Sequence, residues 1–164
     1  MNLHVVREIA VFFMLMLGQV LVFNHIHLFN FATPLLYIYA VLRYPRGLSR
    51  SLALLFSFVM GAFIDIFSNT PGVTMASLTL LGLIQPKLLL LFVQRDNTDE
   101  FTPSIEVLGT ARFIYYTLFM VLIYCLCFFS LESFNFFNWQ QWLKNMGGSM
   151  ALTSLFTIIF EGFR

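Results

Sequence analysis

The sequence predicts an all-α membrane protein with six transmembrane helices, and three observations support this fold class. The 164 residues are 59% hydrophobic and 10% charged, whereas soluble domains are about 45–50% apolar and about 25% charged. The apolar residues form long continuous runs, while the strands of a membrane barrel would alternate apolar and polar residues. Lys and Arg are concentrated in every second connection between the runs. The chain therefore needs lipid as the solvent for most of its surface.

Each predicted helix is an apolar run that can be compared with the roughly 20 residues needed to cross the hydrocarbon core. We interpret residues 1–164 as a single polytopic transmembrane domain. Its predicted helices cover residues 5–23, 29–42, 48–67, 73–93, 110–131 and 142–160. The first run is uninterrupted. The second is short and begins near Pro34, so it must tilt, thin the bilayer locally or form a partial span.

The later helices are separated by polar connections. The third follows the turn Tyr44–Gly47, and a tight turn of suitable composition, Ser68–Gly72, separates it from the fourth. The fourth contains Pro86, which lacks a backbone N–H and is expected to kink or end the helix. The longest polar stretch, Gln94–Glu106, precedes the fifth helix and is too short to form a domain. An aromatic segment rich in Phe and Trp, suited to the headgroup level, precedes the sixth.

The positions of Lys and Arg predict the orientation, because short loops rich in these residues stay in the cytoplasm. With the N-terminus inside, eight of the nine basic residues fall on the cytoplasmic side, and Lys144 is the exception. We therefore expect both termini in the cytoplasm. This alternation requires the short run 29–42 to count as a crossing.

The sequence offers little for catalysis or for binding a cofactor or metal. It contains no phosphate-binding loop, no H-E-x-x-H, no G-x-S-x-G and no Cys/His cluster. Cys125 and Cys127 are two apart in an apolar run and are interpreted as small apolar side chains. His25 and His27 have no further ligands nearby. No basic run suits nucleic acid. We therefore predict a protein that is not an enzyme, with no catalytic residue, cofactor or metal.

Asp65 is the most conspicuous polar residue within a predicted span. An ionisable group there is costly and is a functional hypothesis by default, as a proton or ligand site or as a contact to a partner. The structural alternative is that its carboxylate accepts backbone N–H bonds from Ser68–Gly72 or from the start of the next helix. Both interpretations remain open from the sequence.

Two further groups of residues are candidates for contacts. Ser57 and Gly61 precede Asp65 at intervals of four residues, a small-residue spacing that lets another helix approach closely, within the chain or in a dimer. Arg43, Arg46 and Arg50 form the basic group of one predicted cytoplasmic connection. We expect them to set the topology and to touch anionic headgroups, or else to bind a cytoplasmic partner. Glu161, near the end of the last helix, is expected to be solvated.

The segment Gly61–Gly72, GAFIDIFSNTPG, resembles the G-x-x-x-D…P-x-G segment of the MreD family of bacterial rod-shape-determining membrane proteins. The following VTMASLTLLG, up to Gly82, is also similar to that family. The chain length, the six-helix layout and the Pro34-Leu35-Leu36 opening of the second helix fit as well. The abundance of Phe and Tyr resembles a Bacteroidetes-type member.

The resemblance implies a non-catalytic scaffold or regulator of peptidoglycan synthesis during cell elongation. Such a protein would bind MreC and, through it, the MreB filament, the RodA polymerase and a class B penicillin-binding transpeptidase. In this interpretation Gly61, Asp65, Pro71 and Gly72 contribute to packing and to the partner contact. The family is similar in fold to the substrate-binding components of energy-coupling-factor vitamin transporters. A small-molecule transport component is therefore the alternative, although the spans contain few polar groups to line a pocket.

Overall fold

The computed structural model describes Met14, Gly18, Leu35 and residues 37–93, 101–133 and 139–162. Within these residues the secondary structure is helical and contains no strand, which confirms the all-helical prediction for this part of the chain. The helices are α1 (Ile38–Leu42), α2 (Arg50–Ser68), α3 (Val73–Phe92), α4 (Ile105–Leu108), α5 (Thr110–Glu132) and α6 (Trp139–Gly162). The predicted helix at 5–23 lies outside the described residues, except for Met14 and Gly18, which are helical.

Three of these helices, α2, α3 and α5, are long and apolar enough to cross a membrane. They correspond to the third, fourth and fifth predicted helices. The last helix, α6, begins at Trp139, three residues before the predicted start, and has 24 residues. It is long enough but is not among the three that are also sufficiently apolar. Six crossings therefore remain a prediction.

Helices α2 and α3 form a tight hairpin. The Ser49 side chain accepts a hydrogen bond from the N–H of Leu52 and caps the start of α2. Asn69 ends α2 with φ 56°, and Gly72 precedes α3 with φ 85°, so both ends of the turn use the left-handed region. Glycine and asparagine tolerate this region better than other residues do. The backbone conformation of this turn thus agrees with the turn predicted at Ser68–Gly72.

Small residues let the two helices of this hairpin approach closely. A Cβ at Gly61 would lie 2.8 Å from the backbone nitrogen of Met75, and a Cβ at Gly82 would collide with the Ser57 hydroxyl. Ser57, Gly61 and Asp65 are all buried. The small-residue stripe therefore packs within the chain. Farther along, α3 continues through Pro86 to Phe92 rather than ending there.

Helix α1 is a short element that ends inside the bundle. Its five residues are followed by a non-helical stretch from Arg43 to Ser49. The Tyr44 hydroxyl lies 3.2 Å from the Ser57 hydroxyl, and the Tyr44 carbonyl accepts a hydrogen bond from the Gln85 amide at 3.3 Å. Ser57 and Gln85 are each seven residues from a helix end, which is roughly 10 Å of helix rise. The described part of the second predicted helix is thus a short helix packed against α3 and α5; residues 29–34 and 36 lie outside the described part of the chain.

Polar side chains satisfy the backbone where α1 ends. The Tyr116 hydroxyl on α5 donates to the Leu42 carbonyl at 3.1 Å and accepts from the Gln85 amide at 3.1 Å. Tyr116, Tyr37, Tyr39 and Tyr124 are among the largest fully buried side chains. Non-helical backbone at membrane depth is tolerated only where protein or water satisfies it. Tyr116 and Gln85 meet that requirement for the carbonyls of Leu42 and Tyr44.

Candidate functional site

Asp65 lies at the end of α2, where its carboxylate caps the start of α3. One carboxylate oxygen accepts from the N–H of Thr74 at 2.9 Å and from the Thr70 hydroxyl at 3.0 Å. The other accepts from the N–H of Met75 at 2.9 Å. The N–H groups of Thr74 and Met75 are orphan donors of the first turn of α3, and a negative charge is favourable at that helix terminus. This geometry is the structural alternative stated for Asp65.

A second polar centre joins the end of α1 to the end of α6. One guanidinium nitrogen of Arg43 lies 2.9 Å from each carboxylate oxygen of Glu161. The Tyr39 hydroxyl donates to the same carboxylate and accepts from Arg43 at 3.3 Å. Arg43 and Glu161 are each only 8% exposed. The three residues form a compact ionic cluster, which we call the Arg43–Glu161 centre.

This centre corrects two expectations. Arg43 does not present its charge to lipid headgroups, because the side chain is buried and neutralised by Glu161. Glu161 is buried and ion-paired rather than solvated. Arg46 and Arg50 differ from Arg43, because both are exposed at the start of α2 and in the turn before it. The Arg46 guanidinium carbon lies 5.8 Å from the centre of the Phe101 ring, and the Arg46 N–H donates to the Phe101 carbonyl at 3.0 Å.

Glu161 is the last member of a polar stripe along α6. The stripe consists of four buried residues at intervals of four: Ser149, Thr153, Thr157 and Glu161. The Thr153 hydroxyl accepts from the N–H of Leu35 at 3.1 Å, and Glu161 receives Tyr39 and Arg43. Both interactions are directed at the segment that contains α1. The Thr157 hydroxyl instead donates to carbonyls of its own helix.

Two residues on the polar face of α6, Thr153 and Glu161, therefore bond to the α1 segment, a feature that was not predicted from the sequence. The i, i+4 spacing of Ser149, Thr153, Thr157 and Glu161 was the available signal, because such residues share one helix face. Another buried contact links α1 to α5: the hydroxyls of Tyr37 and Tyr124 lie 2.6 Å apart, with their rings edge to face.

The chemistry available to these groups is mainly structural. The carboxylates of Asp65 and Glu161 and the hydroxyl of Tyr39 form hydrogen bonds with partners within the chain. Among the described residues, no group of three His, Cys, Asp or Glu side chains could hold a metal ion. Pro71 is exposed and Gly72 half-buried in the turn between α2 and α3. Gly61, Asp65 and Gly72 thus build one hairpin, while Arg43 belongs to a separate centre.

The described fold defines a helical protein with helices suited to a membrane and with buried polar clusters that connect its helices. Comparison of the chain with protein-family models, with curated proteins and with solved structures finds no match.

Proposed function

We propose that the chain is a non-catalytic scaffold of the MreD type, which binds MreC in the peptidoglycan synthesis machinery of cell elongation. It would lie in the bacterial inner membrane, cross it six times and keep both termini in the cytoplasm. MreB, RodA and a class B penicillin-binding transpeptidase would be reached through MreC. The proposal rests on the resemblance of Gly61–Gly82 to that family.

The observation that carries the proposal is that the motif residues build the closely packed hairpin of α2 and α3. Gly61 allows α3 to approach α2, Asp65 caps α3, and Gly72 adopts the left-handed turn conformation. A closely packed hairpin with an apolar outer surface is suited to contact with another membrane helix. Its outward side has a groove of about 480 Å³ lined by apolar residues and Thr79.

The alternative of a vitamin-like transport component needs a pocket with several polar groups directed at a ligand. The groove between α2 and α3 has no charged lining residue, and its only polar side chain is that of Thr79. The Thr79 hydroxyl donates to the Met75 carbonyl at 2.7 Å. This groove in the described part of the chain therefore does not supply such a pocket.

The test is purification of the tagged full-length protein from native membranes, followed by native mass spectrometry. We expect a single-span partner of the MreC type to co-purify with the wild-type chain. Asp65→Leu should reduce its recovery severalfold, because loss of the cap changes how α2 and α3 meet. Glu106→Leu is the matched control, since it removes an exposed acid on α4.

Three results would count against parts of this proposal. A stoichiometric bound metabolite without a protein partner would favour the transport component. Equal recovery of MreC by the wild-type and Asp65→Leu proteins, with normal cell shape, would remove Asp65 from the account. Absence of any single-span partner would contradict the scaffold itself.

A further inference from the structure

The last helix is the least membrane-like of the long helices. α6 carries Gln140, Gln141, Lys144 and Asn145 near its start and Glu161 near its end. It has the length of a span but not the apolarity that α2, α3 and α5 reach. A helix of this kind is poorly inserted on its own, because a charged residue in a span is unfavourable unless it is paired.

The α1 segment is also unfavourable as a membrane element on its own. Helix α1 is only five residues long, and Arg43 follows it directly with a buried side chain. A buried arginine also needs a partner. Leu35, before α1, has a buried N–H that must find an acceptor. Alone, neither the α1 segment nor α6 is a satisfactory membrane element.

The two elements supply what each other lacks. Glu161 neutralises Arg43, Tyr39 donates to the same carboxylate, and Thr153 accepts from Leu35. The interactions lie at both ends of the α1 segment, since Leu35 precedes the helix and Arg43 follows it. The paired residues are 118 positions apart in the chain, so they meet only after most of the protein has been made.

We infer that α6 is a conditional membrane span, which crosses because the Arg43–Glu161 centre and the Thr153–Leu35 bond dock its polar stripe onto the α1 segment. We call these two interactions the latch; they form late in synthesis and hold α6 against the α1 segment. This inference is independent of the scaffold function. It predicts that the charge on Glu161 disfavours crossing whenever Arg43 is absent.

The experiment maps the two ends of α6 in the full-length chain in right-side-out membranes. Cys125 and Cys127 are replaced by alanine, and single cysteines are introduced as Ser133→Cys or as an added residue after Arg164. An impermeant maleimide reports the side on which each cysteine lies. The two reporters lie on opposite sides when α6 crosses and on the same side when it does not.

The variants have asymmetric expected outcomes. Arg43→Leu should lower the ratio of crossed to uncrossed molecules by on the order of tenfold, because Glu161 is left unpaired in the membrane. Glu161→Leu should leave α6 crossed, since the helix becomes more apolar. The double variant Arg43→Leu/Glu161→Leu should restore crossing. Lys87→Leu, which removes an exposed positive charge from α3, is the matched control and should behave as the wild type.

Each labelling result either supports or overturns the conditional crossing of α6. Crossing of α6 in Arg43→Leu at the wild-type level would overturn the latch, as would reporters on the same side in the wild type. If Glu161→Leu reduces the crossing of α6 as much as Arg43→Leu does, the two substitutions act by general destabilisation, and the latch is overturned. If Arg43→Leu is degraded before labelling, recovery of the double variant supports the latch, and loss of both refutes it.

Discussion

The Thr153 hydroxyl offers a sharp test of how α6 is held, because the same stripe contains its own control. Thr153 and Thr157 are both fully buried on α6, one helical turn apart. The Thr153 hydroxyl accepts a hydrogen bond from Leu35, which belongs to a different part of the chain. The Thr157 hydroxyl donates to the carbonyls of Thr153 and Ser154, both in its own helix. Replacement by valine preserves the shape of either side chain.

The two substitutions should differ clearly in their effect on stability. Thr153→Val leaves the buried N–H of Leu35 without its acceptor, and an unsatisfied buried donor destabilises by about 1–3 kcal/mol. Thr157→Val removes a donor to carbonyls that lie within a helix and keep their backbone partners. We therefore expect a change below about 0.5 kcal/mol for Thr157→Val, which leaves no buried group unsatisfied.

The measurement is thermal unfolding of the purified full-length protein in detergent, followed by circular dichroism. At about 2–4 °C per kcal/mol for a chain of this size, Thr153→Val should lower Tm by roughly 2–12 °C. Thr157→Val should leave Tm nearly unchanged. Equal losses in the two variants would show that the bond to Leu35 is not what holds α6, and a stable Thr153→Val protein would lead to the same conclusion.

Three other substitutions test the hairpin and the end of α1, each by the same thermal unfolding assay. Gly61→Ala should destabilise by about 1–3 kcal/mol because its Cβ overlaps the Met75 backbone, whereas Gly147→Ala, in open space on α6, should stabilise by about 0.5–1 kcal/mol; a stable Gly61→Ala would mean that the helices can separate freely. Asp65→Asn should destabilise less than Asp65→Leu, because an amide oxygen still accepts one helix N–H, and equal losses would contradict the cap. Tyr116→Phe should destabilise by about 1–3 kcal/mol by leaving the Leu42 carbonyl unsatisfied, while Tyr115→Phe, at an exposed position, should have little effect.

The parts of the fold that follow from local sequence were predictable. Continuous apolar runs indicated α2, α3 and α5, because burial in lipid needs only composition and length. The cap formed by Asp65 was open to prediction for a similar reason, since its acceptor sites and the donors of Thr74 and Met75 are within ten residues. Local sequence could not decide between that cap and a functional role, because both require a carboxylate at the same place.

The Arg43–Glu161 centre could not be predicted by the same means. The rule that places Lys and Arg in cytoplasmic loops treats each charge as solvated, and Arg43 stands next to Arg46 in what reads as such a loop. The rule does not identify a charge whose partner lies 118 residues away. The short length of the run at 29–42 was the available signal. When a short helix ends inside the bundle, the residues that follow it are buried as well.

Removing Arg43 from the count of loop charges changes little in the predicted orientation. Seven of the remaining eight basic residues still fall on one side, and Arg46 and Arg50 keep the connection basic. The burial of Arg43 does change what the orientation depends on. If α6 crosses only when Glu161 is paired, the position of the C-terminus is set by tertiary contact and not by loop charge alone. A chain with so few charges can thus use one buried pair to fix the topology of its least apolar helix, and Arg43→Leu tests this directly.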